Sequence, residues 1–472
     1  MADKKQLIIL GAGPGGYAAA FYAADIGMDV TLIDPEINPG GVCLYRGCIP
    51  SKTLLHIAKV INESEKAAEW GVKFSKREIN IDKIREWKGS VVSKLTGGLG
   101  HLSKQRKINY IQGRGSFESS DKLKVEKADG STEMLSFENI IIATGSHPTK
   151  ISSLSIDSDR FIYSSGALDL KDIPRTMLVI GGGYIGLELG TVYAALGSKV
   201  SVVEMMPGLL PGADRDLVAV LAKRANKMFE SIYLNTTAEG IVETKNGLKV
   251  TFEGKDIKER EQEFEKVLMA VGRQPNSKNF GLENTKVQIN HKGFIKIDDK
   301  RQTDDPAIYA IGDVAGEPML AHKASHEGRV AVEAINGQKA AFDPGAIPAV
   351  VFTDPEIAWC GLTESEAKEK GVDYQVAKFP WGASGRAATL GRNDGVTKLL
   401  IDPKTERILG VGIAGPGAGE LIAEGVLAIE MAAKVEDLSL TIHPHPTLSE
   451  TIMESADVFF GTSTHIYRPK RK

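Results

Sequence analysis

Cys43 and Cys48 stand in Gly40-Gly41-Val42-Cys43-Leu44-Tyr45-Arg46-Gly47-Cys48-Ile49-Pro50-Ser51-Lys52, and they are two of the three cysteines in 472 residues. A pair this close can store two electrons. One sulfur is attacked from outside, the other leaves, and a disulfide becomes a dithiol. In a regular helix, residues five apart lie ~7.5 Å apart along the axis and point to different sides. A disulfide needs Cα atoms within ~7 Å and converging Cβ vectors. The segment is therefore expected to be distorted, with Gly47 as a flexible point and Pro50 as a break in the hydrogen-bond ladder. A bridge across so short a loop in a cytosolic chain reads as catalytic rather than structural. A helix start nearby, with Arg46 and Lys52, favours a thiolate. The bland alternative is two reduced cysteines packed as small hydrophobes, and the neighbouring motifs weigh against it. Cys360 has no partner in the sequence and is expected to be a buried packing thiol.

A second kind of chemistry is written twice. Leu7-Ile8-Ile9-Leu10 runs into Gly11-Ala12-Gly13-Pro14-Gly15-Gly16, and Met177-Leu178-Val179-Ile180 runs into Gly181-Gly182-Gly183-Tyr184-Ile185-Gly186. In each copy a helix is expected to end at a glycine, Gly27 or Gly197, before a strand that ends on an acid, Asp34 or Glu204. One such glycine motif is weak; two with matched strand, cap and acid are strong. The first glycine makes a tight turn, the second lets backbone N–H groups approach a pyrophosphate, and the third packs helix on strand. The acid accepts from a ribose diol. The chain is thus expected to bind two dinucleotides, one in each of two βαβ folds. After Glu204 come Met205, Met206 and Pro207, with no cation to neutralise a 2′-phosphate, so the second site should prefer NAD(H). The glycines of the first copy do not by themselves say which dinucleotide it takes.

Composition narrows the class. Basic and acidic residues number 58 and 61, so nothing advertises a polyanion partner. Hydrophobic residues at 42% supply large cores, and three cysteines cannot staple a chain this long. No apolar run approaches a membrane span, and Met1-Ala2-Asp3-Lys4-Lys5 shows no signal-peptide core, so a cytoplasmic protein is expected.

The cysteine motif through Lys52, the two glycine motifs, Ala143-Thr144-Gly145-Ser146, Gly272-Arg273-x-Pro275-Asn276 and Gly312-Asp313-Val314 together resemble the FAD-dependent pyridine nucleotide–disulfide oxidoreductases. The resemblance runs in order over nearly the whole chain. His443-Pro444-His445-Pro446-Thr447-Leu448-Ser449-Glu450 is most similar to the members that oxidise protein-bound dihydrolipoamide with NAD⁺, serving 2-oxoacid dehydrogenase and glycine cleavage complexes. The resemblance implies an α/β fold of two Rossmann-like dinucleotide-binding domains, for FAD and NAD, followed by an α+β dimerisation domain. It implies that Gly11, Gly13, Gly16 and Asp34 hold FAD, with Lys52 near the flavin. Gly115, Thr144, Gly145, Ser146, Asp313 and Met319-Leu320-Ala321-His322 would complete that site, Asp313 on the ribityl hydroxyls. Gly181, Gly183, Gly186 and Glu204 would hold NAD, with Gly272 nearby and Glu188 paired with Lys52.

In this family His445 and Glu450 of one subunit complete the site beside the cysteines of the other, so a homodimer is implied. A histidine titrating near neutrality suits the removal of a thiol proton, and Glu450 could fix its tautomer. The substrate thiolate would attack Cys43, with Cys48 nearer the flavin. The implied partners are lipoyl-bearing and subunit-binding domains of those complexes, with no nucleic acid or membrane. Val42 and Tyr45-Arg46 stand where the family commonly has Thr and Asn-Val, and Pro444 where Ala is usual. No metal site is expected, because His443 and His445 have no further ligands at zinc spacing. Within the family, Met205 and Met206 argue against an NADPH-linked glutathione reductase. The lack of a later cysteine pair argues against a mercuric reductase. The complete Cys43/Cys48 pair argues against a soluble transhydrogenase. A purely docking subunit would have no use for the full Cys43, Cys48, His445 and Glu450 set.

Around these sites the elements are placed as follows. The flavin domain is expected over 1–149 with a return at 273–345, the NAD domain over 150–272, and the interface domain over 346–472. Residues 53–106 read as helices from Leu54, Ile57, Ala58 and Ile61 at three- and four-residue spacing. Strands are expected around 110–112, 123–125, 140–142, 396–401 and 408–412, the fourth after a turn at Asn393-Asp394-Gly395. A helix is expected from Glu420 to Ala433, and the basic tail Arg468 to Lys472 reads as a solvated end.

Overall fold

A computed structural model describes residues 6–75, 77–255 and 257–467; the basic tail from Arg468 lies outside the described residues. The apolar run at the start becomes β1 (Gln6–Leu10), followed by α1 (Pro14–Asp25) and β2 (Asp29–Asp34). Leu7, Ile8 and Ile9 are fully buried, as continuous apolar strands in a parallel sheet must be. The chain then makes α2 (Gly41–Arg46), α3 (Cys48–Lys66), a 3₁₀ turn at Ala67–Trp70 and α4 (Ile81–Gln105). After these come β3 (Asn109–Ser119), β4 (Lys122–Lys127), β5 (Thr132–Ser136) and β6 (Asn139–Ile142).

The chain leaves through a short strand, β7 (Ser146–Pro148), into the second fold. This holds β8 (Phe161–Tyr163), α5 (Ser164–Asp169), β9 (Thr176–Ile180), α6 (Tyr184–Leu196), β10 (Lys199–Val203), α7 (Arg215–Met228) and β11 (Ser231–Tyr233). An antiparallel trio, β12 (Thr236–Glu243), β13 (Leu248–Gly254) and β14 (Glu261–Phe264), precedes β15 (Lys266–Met269). β15 closes a parallel sheet ordered β11-β10-β9-β15-β8. β16 (Arg273–Pro275) pairs antiparallel with β7, so exit and return share one ribbon. β17 (Ile308–Ala310) then joins the first sheet, whose order is β17-β6-β1-β2-β3-β4-β5. The two folds repeat in register: Leu7 faces Val30, and Met177 faces Val200.

α8 (Ala321–Ile335) packs on α1, and the chain passes to an antiparallel sheet ordered β18-β19-β22-β21-β20. Its elements are β18 (Ala349–Val351), β19 (Ile357–Gly361), α9 (Glu364–Glu369), β20 (Gln375–Pro380), α10 (Gly385–Thr389), β21 (Val396–Ile401) and β22 (Ile408–Ala414). Three helices follow: α11 (Ala418–Glu430), α12 (Val435–Leu440) and α13 (Glu450–Phe460). α11 stops short of the expected Ala433 because Ala432 turns left-handed (φ 51°) and Ala433 N–H closes back on the Ala428 carbonyl at 2.8 Å. α13 is seated by Thr451, whose hydroxyl meets that of Thr397 at 2.8 Å, while Thr397 accepts from the buried Trp381 indole at 2.9 Å. Cys360, in β19, is 1% exposed and burial pushes its thiol up to about 12, so it packs as an inert hydrophobe.

Candidate active site

One residue, Gly47, separates α2 from α3. A Cβ on it would lie 2.8 Å from the Val42 carbonyl oxygen and 3.1 Å from Cys43 Cα, so only glycine lets the chain double back this tightly. Cys43 therefore comes from the body of α2 and Cys48 from the first position of α3, and their free thiols hydrogen-bond to each other. The break lies at Gly47 alone. Pro50 belongs to the first turn of α3, where a missing N–H costs no helix bond. The hydrogen bond from Cys43 holds the Cys48 thiol below its usual range, against the penalty of burial and with help from Lys52. Cys43 is pushed up by the same bond and by burial. Arg46, expected to favour the thiolate, instead pairs with Glu36.

Lys52 lies one turn into α3. Its ammonium sits 2.7 Å from Oε2 of Glu188, a residue of α6 whose side chain is 4% exposed. The other Glu188 oxygen, Oε1, accepts from the Phe352 backbone N–H at 3.0 Å. The Lys52 ammonium also stands 4.5 Å from the centre of the Phe352 ring.

Cys43, Cys48, Lys52 and Glu188 line one cavity of about 1120 Å³. It starts at Gly11, Gly13 and Asp34, passes Cys43, Cys48 and Lys52, and reaches Tyr184 and Glu188 at the head of α6. Gly115, Thr144, Gly145, Ser146, Asp313, Met319 and Ala321 line it as well. Leu320 instead caps α8, and the His322 ring turns to the Pro348 carbonyl at 2.8 Å, where burial lowers its pKa. Ser146 Oγ donates to Asp313 Oδ2 at 2.5 Å and accepts from Arg273 Nε at 2.7 Å. This chain of contacts holds Asp313 from the β7–β16 ribbon. Arg273 stands within Gly272-Arg273-x-Pro275-Asn276, a spacing that does not disclose this bond.

The two glycine loops have the same build. A Cβ on Gly16 or Gly186 would lie 1.8 or 2.2 Å from the carbonyl oxygen of Gly11 or Gly181, which packs helix against loop. A Cβ on Gly183 would meet nothing, and on Gly13 only Gly41 Cα at 4.0 Å. The missing side chain at the middle glycine thus makes room for something other than protein. Asp34 accepts from the N–H groups of Ala12 and Glu36 at 2.7 and 2.9 Å. Glu204 accepts from those of Gly182 and Met206 at 2.7 and 2.8 Å. Each carboxylate oxygen keeps a further lone pair for a ribose hydroxyl. Gly181, Gly183, Gly186, Glu204 and Gly272 lie outside the cavity lining, around the end of β9. Met205 and Met206 are exposed there.

His445 and Glu450 do not line the cavity. His445 is 72% exposed in its side chain and its Nδ1 lies 2.8 Å from Glu450 Oε1. Glu450 Oε2 accepts from Thr447 N–H at 2.7 Å. His443 turns inward to Glu424 at 2.7 Å, which leaves His445 as the outward imidazole of the two.

Comparison with known proteins gives these features a family. Residues 5–328 match the pyridine nucleotide-disulphide oxidoreductase profile, and residues 347–456 match the dimerisation domain of the same family. The chain belongs to this family. It is 46% identical over 469 residues to the dihydrolipoyl dehydrogenase of Vibrio cholerae, covering 99% of this chain and 98% of that one. Against the dihydrolipoyl dehydrogenase of Geobacillus stearothermophilus it is 43% identical, covering 98% of each. Among solved structures, LpdA from Mycobacterium tuberculosis superposes with a TM-score of 0.89 at 28% identity, covering 96% of this chain and 99% of that one. The HOCl-induced flavoprotein disulfide reductase RclA from Escherichia coli gives 0.84 at 28%, covering 95% and 98%.

As a pyridine nucleotide–disulphide oxidoreductase the protein is an enzyme with FAD and NAD as cofactors, and it pairs as a homodimer. The residues fit FAD. The glycine cradle is open at Gly13, the acid stands at Asp34, and the cavity runs unbroken from there past the dithiol. Glu204, followed in sequence by Met205, Met206 and Pro207 and by no adjacent cation, fits NAD at the second loop. Sequence reasoning missed Tyr184, which lines the cavity mouth, and Phe352, which arrives from a segment far away in the chain.

Proposed function

We propose that the enzyme oxidises protein-bound dihydrolipoamide to lipoamide and reduces NAD⁺. The observation that carries this reading is the outward His445–Glu450 pair, which stands apart from its own chain's cavity. The active site is then completed across the dimer, with His445 of one subunit facing the cysteines of the other. The first dinucleotide fold is assigned to 1–149 and 273–345, the second to 150–272, and the dimerisation domain to 346–472. The partners are lipoyl-bearing domains and the subunit-binding domains of 2-oxoacid or glycine cleavage complexes. The working compartment is the cytoplasm, where a reactive dithiol is kept from indiscriminate oxidation. Among the described residues no helix is long and apolar enough to cross a membrane.

The chemistry runs in a balanced order. His445 takes the proton of one substrate thiol. In the oxidised enzyme, where a disulfide joins Cys43 to Cys48, the substrate thiolate attacks Cys43, the Cys43–Cys48 bond breaks, and Cys48 leaves as a thiolate, the form its lowered pKa favours. The second substrate thiol loses its proton and its sulfur displaces Cys43 from the mixed disulfide. Lipoamide is released and Cys43 takes up a proton. The chemistry that bound FAD supplies is passage of the dithiol's electron pair to NAD⁺. Lys52 and Glu188 hold a compensated charge pair between the cysteines and the second fold.

Replacing His445 with Gln is expected to slow dihydrolipoamide oxidation by about 10²-fold or more, the usual loss on removing a general base. NADH oxidation by an artificial electron acceptor should be unchanged. Equal loss of both activities in steady-state assays would reject the role.

A further inference from the structure

Phe352 grips both members of one ion pair. Its backbone N–H binds Glu188 Oε1 at 3.0 Å, and its ring faces the Lys52 ammonium at 4.5 Å. The remaining Glu188 oxygen holds the same ammonium at 2.7 Å. Glu188 is buried, so Lys52 is fixed from two sides, by a carboxylate and by an aromatic face. The three residues come from three places: α3 beside the cysteines, α6 of the second fold, and the strand end that follows β18. That last segment lies within the matched dimerisation domain, residues 347–456.

We infer that Phe352 is a positioning residue for the cation beside the dithiol: through its ring and its backbone, the dimerisation domain sets where the Lys52 charge stands. An ammonium held only by Glu188 samples a wider volume and spends less time near Cys48. The titratable groups facing Cys48 are Cys43 from α2, Lys52 from its own helix, Tyr17 from α1, and Tyr184 and Glu188 from α6. Lys52 is the cation among them and favours the Cys48 thiolate, while Glu188 opposes it. Loosening Lys52 therefore weakens the thiolate, whereas loss of the Glu188 carboxylate would remove an opposing charge and free the ammonium at once. A side-chain substitution at Phe352 leaves the backbone bond to Glu188 available, so the ring can be tested alone.

The inference rests on the reading of Cys48 as the flavin-side thiol. The experiment uses the FAD-loaded dimer in a C43S background, so that one thiol titrates without coupling to a second. The long-wavelength charge-transfer absorbance is followed against pH. F352L is expected to raise its midpoint by about half a pH unit, a roughly threefold smaller thiolate fraction below the midpoint. F352Y, which keeps the ring, should titrate like the C43S parent. Should F352L not assemble, replacement of Phe352 by mono-, di- and trifluorinated phenylalanine drains the ring face with little change of shape, and the midpoint should climb with each fluorine. A midpoint that stays put or falls in the leucine or fluorinated proteins overturns the role of Phe352. Absence of any long-wavelength band in the C43S parent would instead count against Cys48 as the flavin-side thiol.

Discussion

Glu450 uses its two oxygens for two tasks. Oε1 holds the His445 ring and Oε2 anchors the loop through Thr447 N–H. Burial alone would raise its pKa, but the Thr447 N–H and the His445 and His465 imidazoles outweigh that and hold the carboxyl below the usual range. A depressed carboxyl contributes its pairing fully above the unfolded value of ~4.3 and loses it only as pH falls through the lower folded value. The orienting contact therefore persists in mildly acidic buffer. E450Q keeps the shape and removes the charge. Dihydrolipoamide oxidation is expected to fall roughly tenfold or more, less than the loss in H445Q, because orientation is impaired and not the base itself. Rapid-reaction measurement of dithiol oxidation, with NADH-driven acceptor reduction as the control, distinguishes this from general damage. A control reaction that fell in parallel would point to a misfolded site.

At the scale of elements, one cluster around a buried ammonium ties the β18-β19-β22-β21-β20 sheet to the second dinucleotide fold. Lys398, on β21 and 1% exposed, reaches Asp214 at 2.6 Å, Asp216 at 2.9 Å and Glu364 at 2.8 Å. Lys378 adds a bond to Asp216 at 2.6 Å. The three carboxylates converge as they would around a metal ion, but the Lys398 ammonium already fills that place. K398M leaves the buried Asp214 carboxylate without its cation. Unfolding by denaturant should show a loss of about 3–5 kcal/mol, and calcium or magnesium should not stabilise the unaltered protein. Burial alone would raise Asp216 and Glu364, but Lys398 and Lys378 hold both below the usual range, so this stability fades as pH drops beneath ~4. Such clusters mark the limit of what the sequence discloses. The paired strands, the glycine loops and the acids at the ends of β2 and β10 were legible because each rests on local spacing. Lys398 meets partners 34 and 182 positions away, and Phe352 meets Glu188 across 164, separations that carry no periodic signal. The cysteine loop is legible in outline, but its break lies at Gly47 alone and not also at Pro50, since a proline in a first helical turn interrupts nothing.

At the scale of the molecule, the exposed apolar residues near His445 call for a covering surface. Leu427 and Met431 at the end of α11 are 62% and 71% exposed, and Leu440 at the end of α12 and Ile442 just after it are 73% and 94%. Ile442 adjoins His443, whose bond to Glu424 pins that segment to α11, the helix that carries Leu427. Soluble chains rarely leave such a patch open, and this one lies inside the matched dimerisation domain. A second copy of the chain would cover it and at the same time bring His445 toward a foreign pair of cysteines. Placing a carboxylate at the most exposed of the four, I442D, should therefore split the dimer, because burying an unpaired charge in the contact is costly. Sedimentation or light scattering should show a monomer, and FAD should remain bound, since Ile442 does not line the cavity. Dihydrolipoamide oxidation should collapse while NADH-driven reduction of an artificial acceptor survives. Full dithiol activity in a monomer would mean that one chain supplies both its sulfurs and its base, and the exposed His445–Glu450 pair would need another purpose.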